Sequence, residues 1–364
     1  MHPETPLTNP LNLVVQPHDL KTAHDLSLIG FQPLPLVPRL VYLTTSHRQL
    51  TETFVWMSQT LSETSQLYSR YCMTRSPLDS KALLVDFLDA QPLSTITESV
   101  RYAWFLQVLV KRNLFFKYQP IFDLRQGHVI GYECLARARC AQGRYYGGQQ
   151  LIDAALALNL LREFDDAART LCIELIAQVS PNLVAGYALN TEPPSFFINV
   201  LPNTILHDPK AFEQSVQQVV ELGLQPQQVV FELTEVETLI HNPDLYGLIK
   251  RLRAQGFRFA VDDLCGNVAA DHYFMAFQPN LIKLDRHLIS GCGQQTLKQV
   301  LLKSLLQSAH ELGIQVLAEG LETPADIEFC RTLGMDYGQG FGLALPERAL
   351  QTQPLNLFKL ATAS

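Results

Sequence analysis

The sequence predicts an α/β protein: a (β/α)8 barrel of the TIM type, modified by an antiparallel first strand and preceded by a small N-terminal accessory region. Three observations predict it. Short apolar runs alternate with helical stretches from about residue 114 onward. The first two runs lie too close together for a helical crossover. A polar oxygen donor or a lysine stands at or near the end of six successive runs.

The bulk composition is compatible with this. Of 364 residues, 47% are apolar and 17% charged, which supplies a large core and is unlike a disordered chain. The length suits two domains, or one large α/β domain with an appendage. A net charge of −7 with no basic stripe argues against extended nucleic-acid binding, so no DNA partner is expected. A small phosphate ligand stays open if metal ions supply positive charge locally. No apolar stretch reaches the roughly 20 residues of a membrane span, and MHPETPLTNP lacks the regions of a signal peptide. The expectation is a soluble, cytoplasmic protein with no membrane partner. The seven cysteines, at 72, 134, 140, 172, 265, 292 and 330, are scattered and form no C-x-x-C pair. They read as buried free thiols in a reducing compartment, not as a disulfide framework or a zinc site.

Residues 1–113 form the accessory region. Prolines at 3, 6, 10, 17, 33, 35 and 38 do not support regular helix, and the first thirty or so residues read as a loose arm. LVYLTT (40–45) is a candidate strand, and residues 47–71 have helical spacing. ALLVDFLDA (82–90) fits strand or helix, and residues 96–113 read as an amphipathic linker helix. No motif in the first hundred residues carries chemistry. The region is expected to be regulatory, a place where a protein partner could act.

The barrel domain is assigned to residues 114–364. Its strand candidates are FFKYQPIF (115–122), VIGYECLAR (129–137), FFINV (196–200), VVFELT (229–234), FRFAVDD (257–263), LIKLD (281–285), IQVLAE (314–319) and GQGFGLAL (338–345). Segments 166–179, 297–313 and 324–334 are the clearest helices between them. A short connection containing Gly127 joins the first two runs, which predicts an antiparallel hairpin.

In such barrels, side chains from different strands converge at the C-terminal strand ends. Glu133, Asn199, Glu232, Asp262 with Asp263, Lys283 and Glu319 occupy those positions here. Each alone has an ordinary reading: Asp263 as a helix N-cap, Lys283 as a solvated strand-end lysine, Asn199 as a turn residue. Together they form an oxygen-only donor set with no histidine, which favours hard cations such as Mg²⁺ or Mn²⁺ over zinc. An aspartate pair at one strand end suits two metals that activate water for phosphodiester cleavage. Lys283 would act there as a point charge against the transition state or the attacking water.

These segments resemble the EAL domain, the family of cyclic di-GMP phosphodiesterases of bacterial second-messenger signalling. YQPIFDLRQGHVIGYECLARA is similar to the family's opening hairpin and signature, with ECLAR for E-A-L-x-R. FINVLPNTI, FELTEVE, VDDLCGN, IKLD, LAEGLET and GMDYGQGFGLALP follow in the family's order and spacing. The resemblance covers roughly residues 114–350. It implies a distorted barrel, a hydrolase converting cyclic di-GMP to linear pGpG, two Mg²⁺ or Mn²⁺ ions per site, and a homodimer. It implies that Glu133, Asn199, Glu232 and Asp262 hold the first ion and that Asp262, Asp263 and Glu319 hold the second. Lys283 would assist the nucleophilic water, which makes Glu133, Lys283 and Glu319 the catalytic set. Gln119, Leu135, Arg137 and Gln339 match substrate or water contacts, and Glu235 matches a glutamate that supports the loop after the aspartates.

The departures are specific. Cys134 replaces the alanine of the signature, Leu201 a serine, and Leu156 and Asn159 a glutamate and a glycine. LCGN at 264–267 stands for FGTG, where glycines allow positive φ that Cys265 does not favour. That loop links the metal site to the dimer interface in the family, so the change is expected to weaken the dimer. It also keeps a second reading open: a cyclic di-GMP receptor or protein-interaction regulator with weak or no turnover.

Overall fold

The computed structural model describes residues 11–35, 37–139, 143–186, 193–234, 243–264 and 278–355. The chain divides into two units, residues 1–110 with 153–159, and residues 111–152 with 160–364.

The first unit is built on a five-stranded sheet. Its strands are β1 (Leu11–Gln16), β2 (Gln32–Leu34), β3 (Val37–Thr45), β4 (Arg70–Thr74) and β5 (Gln91–Pro92), in the order β2-β3-β1-β4-β5. Every pairing is antiparallel. The central strand β1 lies inside the stretch expected to be a loose arm, which corrects that expectation. Pro10 and Pro17 flank LNLVVQ and do not interrupt it, so no ladder donor is lost. The strand alternates as a two-sided sheet requires: Leu13 and Val15 pack with Phe54, Met57 and Leu93, while Val14 packs with Leu34, Leu40 and Leu83.

The helices of this unit are α1 (Leu20–Ser27), α2 (His47–Thr60), α3 (Glu63–Tyr68), α4 (Lys81–Leu88), α5 (Leu93–Arg101) and α6 (Ala103–Val110). The single helical segment expected over 47–71 is therefore two helices and a strand. Ser62 restarts the helix, its hydroxyl accepting from the Ser65 amide, and RYCMT then joins the sheet.

The second unit is the expected barrel. β6 (Leu114–Asp123), β7 (Val129–Arg139), β9 (Ser195–Val200), β10 (Val229–Leu233), β11 (Arg258–Leu264), β12 (Leu281–Leu284), β13 (Gln315–Ala318) and β14 (Tyr337–Gly338) form a ring, and β8 (Tyr145–Tyr146) adds to the side of β7. The ring closes through β6, which is antiparallel to both β7 and β14. The other neighbours, β7 to β9 and onward to β14, are parallel. Along the chain between these strands lie α7 (Gly148–Ala157), whose residues 153–157 belong to the first unit, α8 (Leu161–Gly186), α9 (Pro202–His207), α10 (Pro209–Glu221), α11 (Pro243–Ala254), α12 (Arg286–Ile289), α13 (Thr296–Glu311) and α14 (Pro324–Leu333).

Strand periodicity sorts the barrel side chains into two sets. One includes Tyr132, Phe196, Ile198, Phe231, Phe259, Ile282 and Val316, which pack with helix residues such as Ile173, Phe212, Leu248 and Leu302. The other is a plug inside the ring, made of Ile121, Phe197, Val230, Ala260, Leu281 and Leu317, with Tyr337 against it. β7 contributes Gly131 at this level. A Cβ there would meet Ser195 O at 2.5 Å and the Phe197 ring at 2.9 Å, so the strand must be bare where the ring crosses it.

The eighth run joins the sheet only at Tyr337 and Gly338. Residues 339–345 leave it to cross the 321–322 backbone. A Cβ on Gly340 would sit 2.2 Å from Leu321 N, so this close crossing is open only to glycine. Cys72, Cys134, Cys172, Cys292 and Cys330 are free thiols and buried; Cys140 and Cys265 lie outside the described residues. Among the described residues, no helix is long and apolar enough to cross a membrane.

Candidate active site

The polar residues picked from the sequence stand one strand period beyond the plug. Phe197 leads to Asn199, Val230 to Glu232, Ala260 to Asp262, Leu281 to Lys283, Leu317 to Glu319, Tyr337 to Gln339 and Gly131 to Glu133. β6 runs the other way, so its step is from Ile121 back to Gln119, which lies opposite Glu133 in the ladder. A period of two therefore places all eight side chains above the apolar floor, seven of them at or near the C-terminal ends of the parallel strands and Gln119 on the antiparallel β6.

Lys283 organises the group. Its Nζ lies 2.7 Å from Glu319 Oε1, 2.9 Å from Glu232 Oε1, 3.1 Å from Asp262 Oδ2 and 3.8 Å from Glu133 Oε1. The lysine is 1% exposed and Glu232 is 0% exposed. Glu133 also accepts from Gln339 Nε2 at 2.6 Å and from Asn199 Nδ2 at 3.4 Å. Gln119, also buried, donates to the Ala344 carbonyl at 3.3 Å.

The charges are poorly balanced. Burial alone would discharge Lys283, but Asp262, Glu133, Glu232 and Glu319 together hold its pKa well above the ordinary lysine value. Burial raises Glu232 well above the usual carboxylate range; Lys283 opposes this, and Glu133 and Asp262 reinforce it. Glu319 is raised to about 8, again chiefly by burial. Glu232 Oε1 faces the Lys283 ammonium at 2.9 Å, whereas Glu232 Oε2 and Gln339 Oε1 are buried without a hydrogen-bond donor among the described residues. Buried acceptors left this way are costly, and a cation is the ligand that would satisfy them. The donors are carboxylates and amides, which fits a hard divalent cation. Among the described residues, no three acidic side chains are already closed to metal-binding geometry; the lysine ammonium sits among them instead.

The remaining sequence-selected residues are distributed as follows. Leu135 and Arg137 continue along β7 from Glu133 in steps of two, toward the barrel mouth, and both are half-buried. Arg137 Nη1 donates to the Ala136 carbonyl at 2.8 Å. Burial lowers the Arg137 pKa, with Glu133 acting the other way. The β11–β12 register shifts between Val261 and Leu264, which puts a bulge at the Asp262–Asp263 pair. The Asp263 side chain, Glu235 and residues 265–267 of the altered loop lie outside the described residues. Thr234, within FELTEVE but assigned no role from the sequence, has a buried hydroxyl without a hydrogen-bond partner among the described residues. Its place directly after β10 was the only signal that could have marked it.

Comparison with known proteins identifies the family and the fold. The family model described as EAL domain matches residues 103–346. The probable cyclic di-GMP phosphodiesterase PdeN of Escherichia coli K12 is 26% identical over 243 residues, which are 66% of this chain and 45% of PdeN. The chain thus spans less than half the length of that relative. Among solved structures, the Xanthomonas citri FimX EAL domain in complex with c-diGMP superposes with a TM-score of 0.61 at 18% identity, covering 70% of this chain and 96% of that domain. The Bacillus subtilis YkuI protein, in complex with substrate c-di-GMP and calcium, gives 0.56 at 21% identity over 71% of this chain and 61% of its own.

Proposed function

The chain belongs to the EAL-domain family, and from that premise we propose that it is a metal-dependent phosphodiesterase that opens cyclic di-GMP to linear pGpG. The observation that carries the reading is the convergence of Glu133, Glu232, Asp262 and Glu319, three from strands and one directly after β13, within 4 Å of Lys283 Nζ, with Glu232 Oε2 buried without a donor among the described residues.

Glu133, Asn199, Glu232, Asp262, Asp263 and Glu319 would hold two divalent cations, Mg²⁺ or Mn²⁺. The ions would supply Lewis acidity for the attacking water and charge neutralisation at the phosphate. Lys283, kept charged by its carboxylate neighbours, brings a positive charge against the oxygens on which negative charge develops during P–O cleavage. Gln339, Gln119 and Asn199 orient Glu133 and the rim around it through amide hydrogen bonds. Leu135 and Arg137, on the same face of β7 toward the mouth, would meet the nucleotide, Leu135 by apolar contact and Arg137 by charge to a phosphate. The apolar plug beneath keeps water out of the barrel interior, so these charges act in a medium that screens them weakly.

The test is a chromatographic time course of cyclic di-GMP with the purified full chain and Mn²⁺ or Mg²⁺, with EDTA as control. Metal-dependent appearance of pGpG supports the reading. The LCGN sequence at 264–267 favours a second one, a receptor that binds cyclic di-GMP without cleaving it. Saturable binding with intact nucleotide after long incubation would establish that reading instead.

A further inference from the structure

Leu201, two residues after Asn199, is the N-cap of α9, and its side chain makes no capping bond. An apolar side chain cannot accept a hydrogen bond from the helix start. A residue on another helix meets this turn instead. Asp165 of α8, 6% exposed, accepts the Leu201 amide on Oδ1 at 3.2 Å and the Thr204 hydroxyl on Oδ2 at 2.7 Å. Thr204 also faces the Leu201 carbonyl at 2.7 Å. Arg169, one turn on along α8 and 3% exposed, pairs with Asp165, donates to Ser215 Oγ of α10 at 3.0 Å and lies 5.4 Å from the centre of the Phe212 ring. Burial raises the Asp165 pKa, with Arg169, Thr204 and the Leu201 amide acting against it. This buried charge is thus spent on the backbone that leaves β9, and β9 presents Asn199 to Glu133.

We propose that Asp165, steadied by Arg169, is a positioning residue that fixes the β9–α9 turn in place of a local cap and thereby holds Asn199 toward Glu133. The role in metal binding rests on the function proposed above; the role in the turn does not. Outer partners that orient a metal ligand typically control affinity more than chemistry, by about 10- to 100-fold. Removing Asp165 should therefore weaken metal binding while turnover at saturating metal changes less. A residue at 201 whose side chain accepts from the 203 or 204 amide should offset the loss at the helix start.

The experiment compares the full-length wild type with Asp165→Ala, Asp165→Asn and the double variant Asp165→Ala/Leu201→Ser. The first readout is hydrogen–deuterium exchange of the peptide covering 195–207 in EDTA, which needs no metal. Exchange at 201–204 should rise by about fivefold or more in Asp165→Ala, as loss of a helix cap implies, and fall back in the double variant. The second readout is Mn²⁺ titration followed by electron paramagnetic resonance, where half-saturation should move up by about tenfold in Asp165→Ala and recover with Leu201→Ser. If Asp165→Ala does not fold, Asp165→Asn, which keeps the acceptor for the Leu201 amide and loses the charge facing Arg169, carries both readouts. Unchanged exchange at 201–204 overturns the proposal. So does accelerated exchange with unchanged Mn²⁺ half-saturation, because a merely structural carboxylate would behave that way. A wild-type chain that binds no Mn²⁺, with the exchange pattern intact, overturns the metal reading and leaves the turn assignment standing.

Discussion

Glu319 Oε1 lies 2.7 Å from Lys283 Nζ, and this contact joins adjacent strands: Lys283 is in β12 and Glu319 is the first residue beyond β13. The same ammonium is within reach of Asp262 and Glu232, so one buried cation answers several buried anions. Removing one partner of a buried charge cluster leaves the others uncompensated, at a cost of about 3–5 kcal/mol. Lys283→Met should therefore lose about that much stability in EDTA and regain much of it with Mn²⁺. Urea unfolding with and without metal measures both; equal stability of variant and wild type in EDTA would show that the lysine does not hold the cluster.

Glu232→Gln should behave in the opposite way. Burial already disfavours the charged form of Glu232, and its Oε2 has no hydrogen-bond donor among the described residues. Neutralising it should leave the metal-free protein as stable as wild type, or more so, within about 0.5 kcal/mol. Turnover should fall by about 100-fold or more if the carboxylate serves a cation. A large loss of stability in EDTA would mean that Glu232 works mainly as Lys283's counter-ion.

Metal binding should depend on pH through Glu319. Its pKa in the metal-free fold is raised from 4.5 to about 8, chiefly by burial. The folded chain then keeps a proton that the unfolded chain gives up, so this group's contribution to stability is greatest below pH 4.5 and declines as the pH climbs to about 8. A cation must displace that proton, so Mn²⁺ affinity should strengthen from pH 6 to 8, with proton release. Titration calorimetry in buffers of different ionisation enthalpy reads the proton count; pH-independent affinity with no release would refute the assignment.

Gly131→Ala probes the floor of the site. The added Cβ would meet Ser195 O and the Phe197 ring at 2.5 and 2.9 Å. Overpacking of this kind costs about 1–3 kcal/mol, and the shift would reach Glu133 one strand period away. Thermal unfolding should show the destabilisation, and the concentration of Mn²⁺ needed for half-maximal turnover should rise. An unchanged melting temperature would mean that the Phe197 ring has room to move.

Much of the barrel was legible because its signals are local. The runs carrying Glu133, Asn199, Glu232, Asp262 and Lys283 became β7, β9, β10, β11 and β12, and Glu319 directly follows β13. What was missed depends on distant partners. LNLVVQ is a short apolar run among prolines until β3 and β4 pair with it on either side. RYCMT looks like the end of a helix until it meets β1. GQGFGLAL reads as a strand, yet its glycines serve a crossing over Leu321 and Glu322 that nothing within the segment announces.

The sequence by itself determined which side chains share the polar face of the barrel, because strand alternation puts every second residue on the same side. It also contained the chemical types: acids, amides and one lysine. Tertiary structure alone decided how they meet. Barrel closure brings Gln339 to Glu133 across 206 residues of chain, places Lys283 among four carboxylates, and sets Asp165 under a turn 36 residues further on. Periodicity is a property of each strand, whereas these contacts exist only once the ring has closed.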